Sequence, residues 1–211
     1  MAREGRHDSS MHGFRYLPVL CALLLGATAL PAAGRFRDGD IIFQTSRSAQ
    51  SAAIQRATHS PYSHVGIIFH RHGKPYVFEA SATVRYTPLA AWIARGDGGH
   101  YALKRLRREL TGVDLARLQA SAKPFEGRPY DPYFEWSNDR IYCSELVWKM
   151  YQQALGIELG TRQLLRELDL RDPVVKAKMR ERYGARVPLD EPVISPAALF
   201  EAPQLDLVAK P

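Results

Sequence analysis

The chain has 211 residues, with 29 Lys+Arg against 22 Asp+Glu for a formal charge of +7, and is 45% apolar and 10% aromatic. Such a chain is long enough to bury most of what it exposes when unfolded, which argues against a disulfide-stapled mini-protein or a disordered chain, and its composition excludes collagen-like and coiled-coil classes. The basic excess favours association with anionic wall polymers or lipid surfaces without naming a chemistry, and with no recognised binding motif nucleic acid is not expected as a partner.

The first segment reads as an address. Leu17 to Leu30 is a charge-free apolar run, preceded by Arg15 and followed by Pro31-Ala32-Ala33-Gly34, which is a signal-peptide pattern. It is shorter than the roughly 20 apolar residues that a membrane-spanning helix needs. Residues 1–33 are therefore expected to be a signal peptide, cleaved after Ala29 or Ala33, and residues 34–211 one domain. This makes an exported, periplasmic or extracellular protein with peripheral envelope contact, or a membrane-anchored one if the leader is retained. Cys21 leaves with the leader, so Cys143 remains as a lone thiol in an oxidising compartment. It is a buried core residue, an intermolecular bridge or a reactive group.

Along the rest of the chain, Asp40 to Thr45 reads as a strand opened by the Gly39-Asp40 turn, and Arg47 to Thr58 as a helix. Ser63 to His70 and Pro75 to Ala80 form a hairpin around His72-Gly73. Thr87-Pro88 opens a short helix to Ala94, and His100 to Leu106 is a strand whose run Lys104-Arg105-Leu106-Arg107-Arg108 suits a solvated sheet edge. Thr111 to Lys123 is helical by spacing. The loop from Phe125 to Asp139 is long enough to suggest a task. A helix follows from Ile141 to Leu155, stopped by Gly156, and the tail holds helices near Pro173 to Tyr183 and Ser195 to Glu201.

Chemistry concentrates in two places. Cys143 falls in the first turn of its helix, where unpaired amides and the helix dipole favour a thiolate, although Cys143, Val147, Met150 and Ala154 also share one stripe that suits a core row. A nucleophilic thiolate needs an imidazole to move its proton and a polar group to hold that imidazole. In the hairpin, Val65, Ile67 and Phe69 take one face, and His64 and Gly66 the other. With a two-residue loop, Glu79 comes opposite Gly66 and diagonal to His64 on that face, which is expected to lie under the helix opened by Cys143. His59, His70, His72 and His100 suit turns and exposed positions. One thiol and no His-Glu-x-x-His pattern leave a zinc site unsupported.

Gly39-Asp40-Ile41-Ile42-Phe43, Tyr62-Ser63-His64-Val65-Gly66-Ile67, Val77-Phe78-Glu79-Ala80, and Tyr130-Asp131 with Tyr142-Cys143-Ser144-Glu145-Leu146-Val147 together resemble the circularly permuted, papain-like cysteine hydrolases of the NlpC superfamily, YiiX type. The likeness runs from residue 38 to about 155. It implies an α+β fold, with a small antiparallel barrel-like sheet packed against helices. It also implies Cys143 as nucleophile, His64 as base and Glu79 as its orienting residue, with the histidine preceding the cysteine; no cofactor or metal is expected, since the residues offer no ligand motif for one.

The function expected on this basis is cleavage of amide bonds, or esters, through a thioester acyl-enzyme, on cell-envelope peptides, peptidoglycan-derived or other small amides. Tyr62, Tyr130 and Tyr142 are candidates for substrate binding, and the loop aromatics Tyr130, Tyr133, Phe134 and Trp136 with Asp131 and Glu135 for a cleft accepting a cationic amine. Asp40 and Asp131 by themselves read as turn and capping residues. Two alternatives stand beside this one: a lipid acyltransferase or phospholipase on the same fold, and a non-catalytic envelope-binding protein with an inert Cys143.

Overall fold

The computed structural model describes residues 1–2 and 35–211; apart from its first two residues, the expected leader over residues 1–33 lies outside the described residues. Strand β1 (Ile41–Gln44) begins after a pinned turn. The Asp40 carboxylate accepts the Arg37 amide at 2.8 Å and the Arg105 guanidinium at 2.6 and 2.8 Å. Helix α1 (Ser51–Thr58) is shorter than its sequence suggests, because hydroxyl contacts of Ser46 and Ser48 hold the preceding residues in turns. Strands β2 (His64–Arg71) and β3 (Lys74–Ala80) are joined through His72 and Gly73, both at positive φ. That matches the twist of the flanking strands. The ladder runs from Ile67 opposite Phe78 to Arg71 opposite Lys74, the register a two-residue loop dictates.

Strand β4 (Val84–Pro88) was not evident in the sequence. Pro88 ends it on the sheet edge, where a missing N–H is tolerated, and α2 (Leu89–Arg95) starts one residue later. After β5 (Ala102–Leu106), α3 (Gly112–Ala122) is capped by Thr111 Oγ1, which accepts the Asp114 amide, and by the Asp114 carboxylate, which accepts that of Thr111. Helix α4 (Cys143–Leu155) ends at left-handed Gly156. The tail supplies β6 (Gln163–Leu164), α5 (Pro173–Tyr183), β7 (Pro192–Val193), α6 (Pro196–Phe200) and β8 (Leu205–Ala209).

The fold is α+β, with a six-stranded antiparallel sheet ordered β4-β3-β2-β1-β5-β8. The basic strand is not an edge, because β8 pairs with it. Lys104 is buried accordingly, donating to the Phe200 carbonyl with its ammonium over the Phe200 ring.

The two faces of the sheet carry different helices. Ile41, Phe43, Val65, Ile67 and Phe69 pack with Leu146, Val147, Met150 and Tyr151 of α4. Ile42, Ile68, Val77 and Leu103 pack with Leu89 and Trp92 of α2. The expected cover of the histidine face is therefore corrected: α2 lies over it, not α4. The reason is area, since the apolar row of β2 offers the long, entirely buried α4 much more to pack on. Its residues Cys143 to Tyr151 are all buried, as a helix enclosed on every side requires.

Candidate active site

The hairpin builds the first half of the site. Gly66 follows His64 on the α2-facing side of β2, and a Cβ there would overlap the Val77 side chain and come 2.8 Å from the Phe78 carbonyl and 3.3 Å from the Glu79 Cβ. Glycine thus lets β3 approach closely enough for His64 Nε2 to lie 2.5 Å from Glu79 Oε2. The carboxylate is fully buried and saturated with donors. Oε1 accepts the Thr87 hydroxyl at 2.6 Å, while Oε2 also accepts the Trp92 indole N–H at 3.0 Å and an Arg95 guanidinium N–H at 2.5 Å. Trp92 stacks on the imidazole as well, at 5.9 Å between centroids.

The electrostatics follow from these contacts. Burial alone would raise the Glu79 pKa, but His64, Arg95 and Thr87 together bring it down to about 2. For His64, burial is again the largest single influence and favours the neutral ring. The Cys143 thiol and Glu79 outweigh it and raise the pKa to about 9. With Nε2 engaged by Glu79, Nδ1 is the nitrogen left to face the sulfur.

Cys143 arrives from α4 at the end of the sheet. Its helix start is fixed on three sides. Glu145 Oε2 accepts the Tyr142 amide at 3.2 Å, the Ser144 hydroxyl donates to the Ile194 carbonyl at 2.7 Å, and the Tyr142 hydroxyl accepts the Ile194 amide at 3.1 Å. The Cys143 amide belongs to the first turn, whose N–H groups have no helical acceptors, so it is available to a developing negative charge.

Tyr130 stands beside the same sulfur. Its side chain is partly buried, and desolvation together with the nearby Cys143 moves its pKa far above the ordinary value, so it stays protonated. Gln50 Nε2 donates to its oxygen at 2.6 Å, while Gln50 Oε1 accepts from Arg182 of α5. Arginine only donates, so Arg182 fixes which way the Gln50 amide points. The Tyr130 oxygen is thereby an acceptor toward Gln50, and its own proton is free to point into the site.

Two cavities meet at this point. Cys143 and Tyr142 line an apolar slot walled by α1, α5 and β7, with Ile54, Leu168, Val175 and Ile194 among its residues. His64 and Tyr130 line an open cleft of about 510 Å³. Gln50 borders both. Tyr62 lines neither. Its ring packs between Phe43 and Phe200, with centroids at 5.8 and 4.4 Å, and its hydroxyl is buried without a partner among the described residues. The acidic residues of the long loop do not form a pocket for a cation. Asp131 is buried and accepts the Tyr133 and Glu135 amides at 2.8 and 2.6 Å, and the cleft is lined by Arg47 and Arg95 without any carboxylate.

Sequence reading missed Thr87, Trp92, Arg95, Gln50 and Arg182. Trp92 and Arg95 were legible only as one side of a short helix, since nothing local tells that side to face Glu79. Gln50 and Arg182 meet across a long separation that no spacing reveals.

A histidine and its buried carboxylate on an antiparallel hairpin, followed much later by a cysteine opening a buried helix, is the chain order of a permuted papain-like protein. Residues 35–209 match the model of the permuted papain-like amidase enzymes, YaeF/YiiX, C92 family, and the chain belongs to that family of amide-bond hydrolases. It is 52% identical over 192 residues to a protein of Escherichia coli strain K12 described as uncharacterized protein YiiX, covering 91% of this chain and 94% of that one. It is also 54% identical, with a TM-score of 0.82, to a crystal structure described as metalloprotein yiiX of Escherichia coli O157:H7, covering 84% of this chain and 98% of that one. Among the described residues no three His, Cys, Asp or Glu side chains are grouped so that they could hold a metal ion, so they present no ligand set for the metal in that description.

Proposed function

We propose that the chain is a cysteine amidase whose triad is Cys143, His64 and Glu79, and that it hydrolyses amides with an apolar acyl half. The reading rests on one observation: His64 lies between the thiol and a buried carboxylate that keeps its charge. In the first half-reaction the Cys143 Sγ thiolate attacks the carbonyl carbon. The oxyanion is held by the Cys143 amide and the Tyr130 hydroxyl. His64 then gives its Nδ1 proton to the departing nitrogen, the C–N bond breaks and a thioester remains. In the second half, water attacks the thioester, His64 takes a proton from it, and the acid leaves as the proton returns to Sγ.

The acyl half is assigned by the slot that opens at Cys143, whose lining is mainly apolar, with Lys178 and Arg182 of α5 as its charged members. That slot also supports the second reading, in which the thioester is passed to an acceptor other than water. An exported protein working on envelope peptides or lipids is part of the proposal and rests on the leader-like first 33 residues and the basic balance.

The test measures the rate of Cys143 alkylation by iodoacetamide across pH in the purified protein and in His64→Ala, with mass spectrometry of the thioester formed from N-acyl amine probes. Rapid alkylation that depends on His64, and an acyl adduct that water discharges, support the amidase. Discharge mainly to an added alcohol or amine supports the transferase. A thiol that reacts at the rate of free cysteine regardless of His64 overturns both.

A further inference from the structure

The two cavities divide the substrate, and the polarity of the second names what leaves. Cys143 lines only the apolar slot and His64 only the open cleft. On the proposed mechanism, on which this inference rests, the leaving nitrogen takes its proton from His64 and so lies on the cleft side. That cleft is cationic. Arg47 is exposed and makes no ion pair among the described residues, while Arg95 gives one nitrogen to Glu79, and its partly exposed side chain lines the cleft. Among the described residues no Asp or Glu lines the cleft.

We infer that the departing amine carries an anionic group, a carboxylate or phosphate, which is bound in the cleft by Arg47 and Arg95. A guanidinium presents paired donors to a planar or tetrahedral oxyanion. Arg95 already serves Glu79, so an anion placed there must share it. Arg47 has no other task, and it is the residue whose loss isolates anion binding from the chemistry.

The experiment uses three probes with one acyl chain: N-octanoyl glycine, its neutral carboxamide, and N-octanoyl O-phosphoethanolamine. Turnover is measured on the unaltered protein, and binding by calorimetry on Cys143→Ala, with and without Arg47→Glu. The expected result is that the anionic probes exceed the neutral one by about tenfold in kcat/KM and in affinity, which corresponds to roughly 1.4 kcal/mol, and that Arg47→Glu abolishes or inverts this ratio. Preference for the carboxylate points to an acylated amino acid, preference for the phosphate to a lipid-like headgroup. Equal handling of neutral and anionic probes, a ratio indifferent to Arg47→Glu, or no binding of any probe overturns the inference. Charge-selective binding to Cys143→Ala without turnover by the unaltered protein overturns the amidase reading alone.

Discussion

Glu79 Oε2 lies 2.5 Å from His64 Nε2 while the same carboxylate takes donors from Thr87, Trp92 and Arg95. Its two oxygens therefore serve four groups, and this number makes the residue hard to replace. In Glu79→Gln one of those oxygens becomes a donor, which must face at least one of the four. The expected outcome is a fall in kcat of about 10²-fold or more with little change in KM, in the range a positioned acid or base supplies. Loss of the negative charge also lets the His64 pKa fall, so the alkaline limb of the pH–rate profile should move to lower pH. A purely structural role would lower the amount of folded protein without moving that limb.

The pH dependence of stability follows from the same contacts. His64 is raised from 6.5 to about 9, so its contribution is full below the unfolded value and declines as pH climbs from 6.5 through about 9. Glu79 is lowered from 4.5 to about 2, so its contribution is full above 4.5 and declines as pH falls through about 2. Glu145 is raised from 4.5 to about 7, chiefly by burial, and so opposes folding increasingly as pH rises across that interval. Together these give a Tm maximum at about pH 5 and a decline toward pH 9. His64→Ala should flatten the part of the decline between 6.5 and 9, read by calorimetry across buffers of matched ionic strength.

Much of the site was legible because the hairpin obeys local rules. His72-Gly73 fixes the turn, the turn fixes the register, and the register brings Glu79 beside Gly66 and His64. The start of α4 at Cys143 was readable as well, from the apolar run and Gly156. What could not be read depends on distant pairing. Strand β8 is five residues at the end of the tail, and its partner β5 is decided by which edge remains uncovered. The helix over His64 was misassigned because α4 and α2 both offer apolar faces, and only the opposite sides of β2 determine which each takes.

Tyr130 gives a prediction that separates charge stabilisation from activation of the thiol. Tyr130→Phe removes one donor to the oxyanion, and kcat should fall by about 10²-fold, while alkylation of Cys143 by iodoacetamide stays within a factor of two or so, because that reaction forms no oxyanion. Arg182→Met frees the Gln50 amide to rotate and accept the Tyr130 proton, so a smaller loss of about tenfold is expected, one step removed from the chemistry. Since the Arg182 guanidinium also lies 4.8 Å from the Phe134 ring centroid, Arg182→Lys serves as the control. It keeps the donor to Gln50, and should recover part of the rate even where stability is not restored.

The long loop is tied to α4 by a buried cation. Lys149 Nζ lies 2.7 Å from Glu145 Oε1, donates to the Ser137 carbonyl at 2.5 Å and to Asn138 Oδ1 at 2.9 Å, and sits 4.9 Å from the centre of the Trp136 ring. Glu145 in turn caps the amide before Cys143, so loop and nucleophile share one anchor. Lys149→Met fills the volume but leaves Glu145 without its cation, which should cost up to about 3–5 kcal/mol of stability at alkaline pH, where the carboxyl is ionised. The sign with pH discriminates the cause. Lys149 holds the Glu145 pKa down to about 7, so its loss raises that pKa further, and the deficit in Tm should grow as pH rises above 7 and shrink toward pH 5, where Glu145 is protonated with or without its partner. Trypsin should also cut the variant faster at Arg140, next to the released Ser137 and Asn138. A deficit independent of pH would mean that lost packing against Trp136, and not the unpaired carboxylate, is what the lysine prevents.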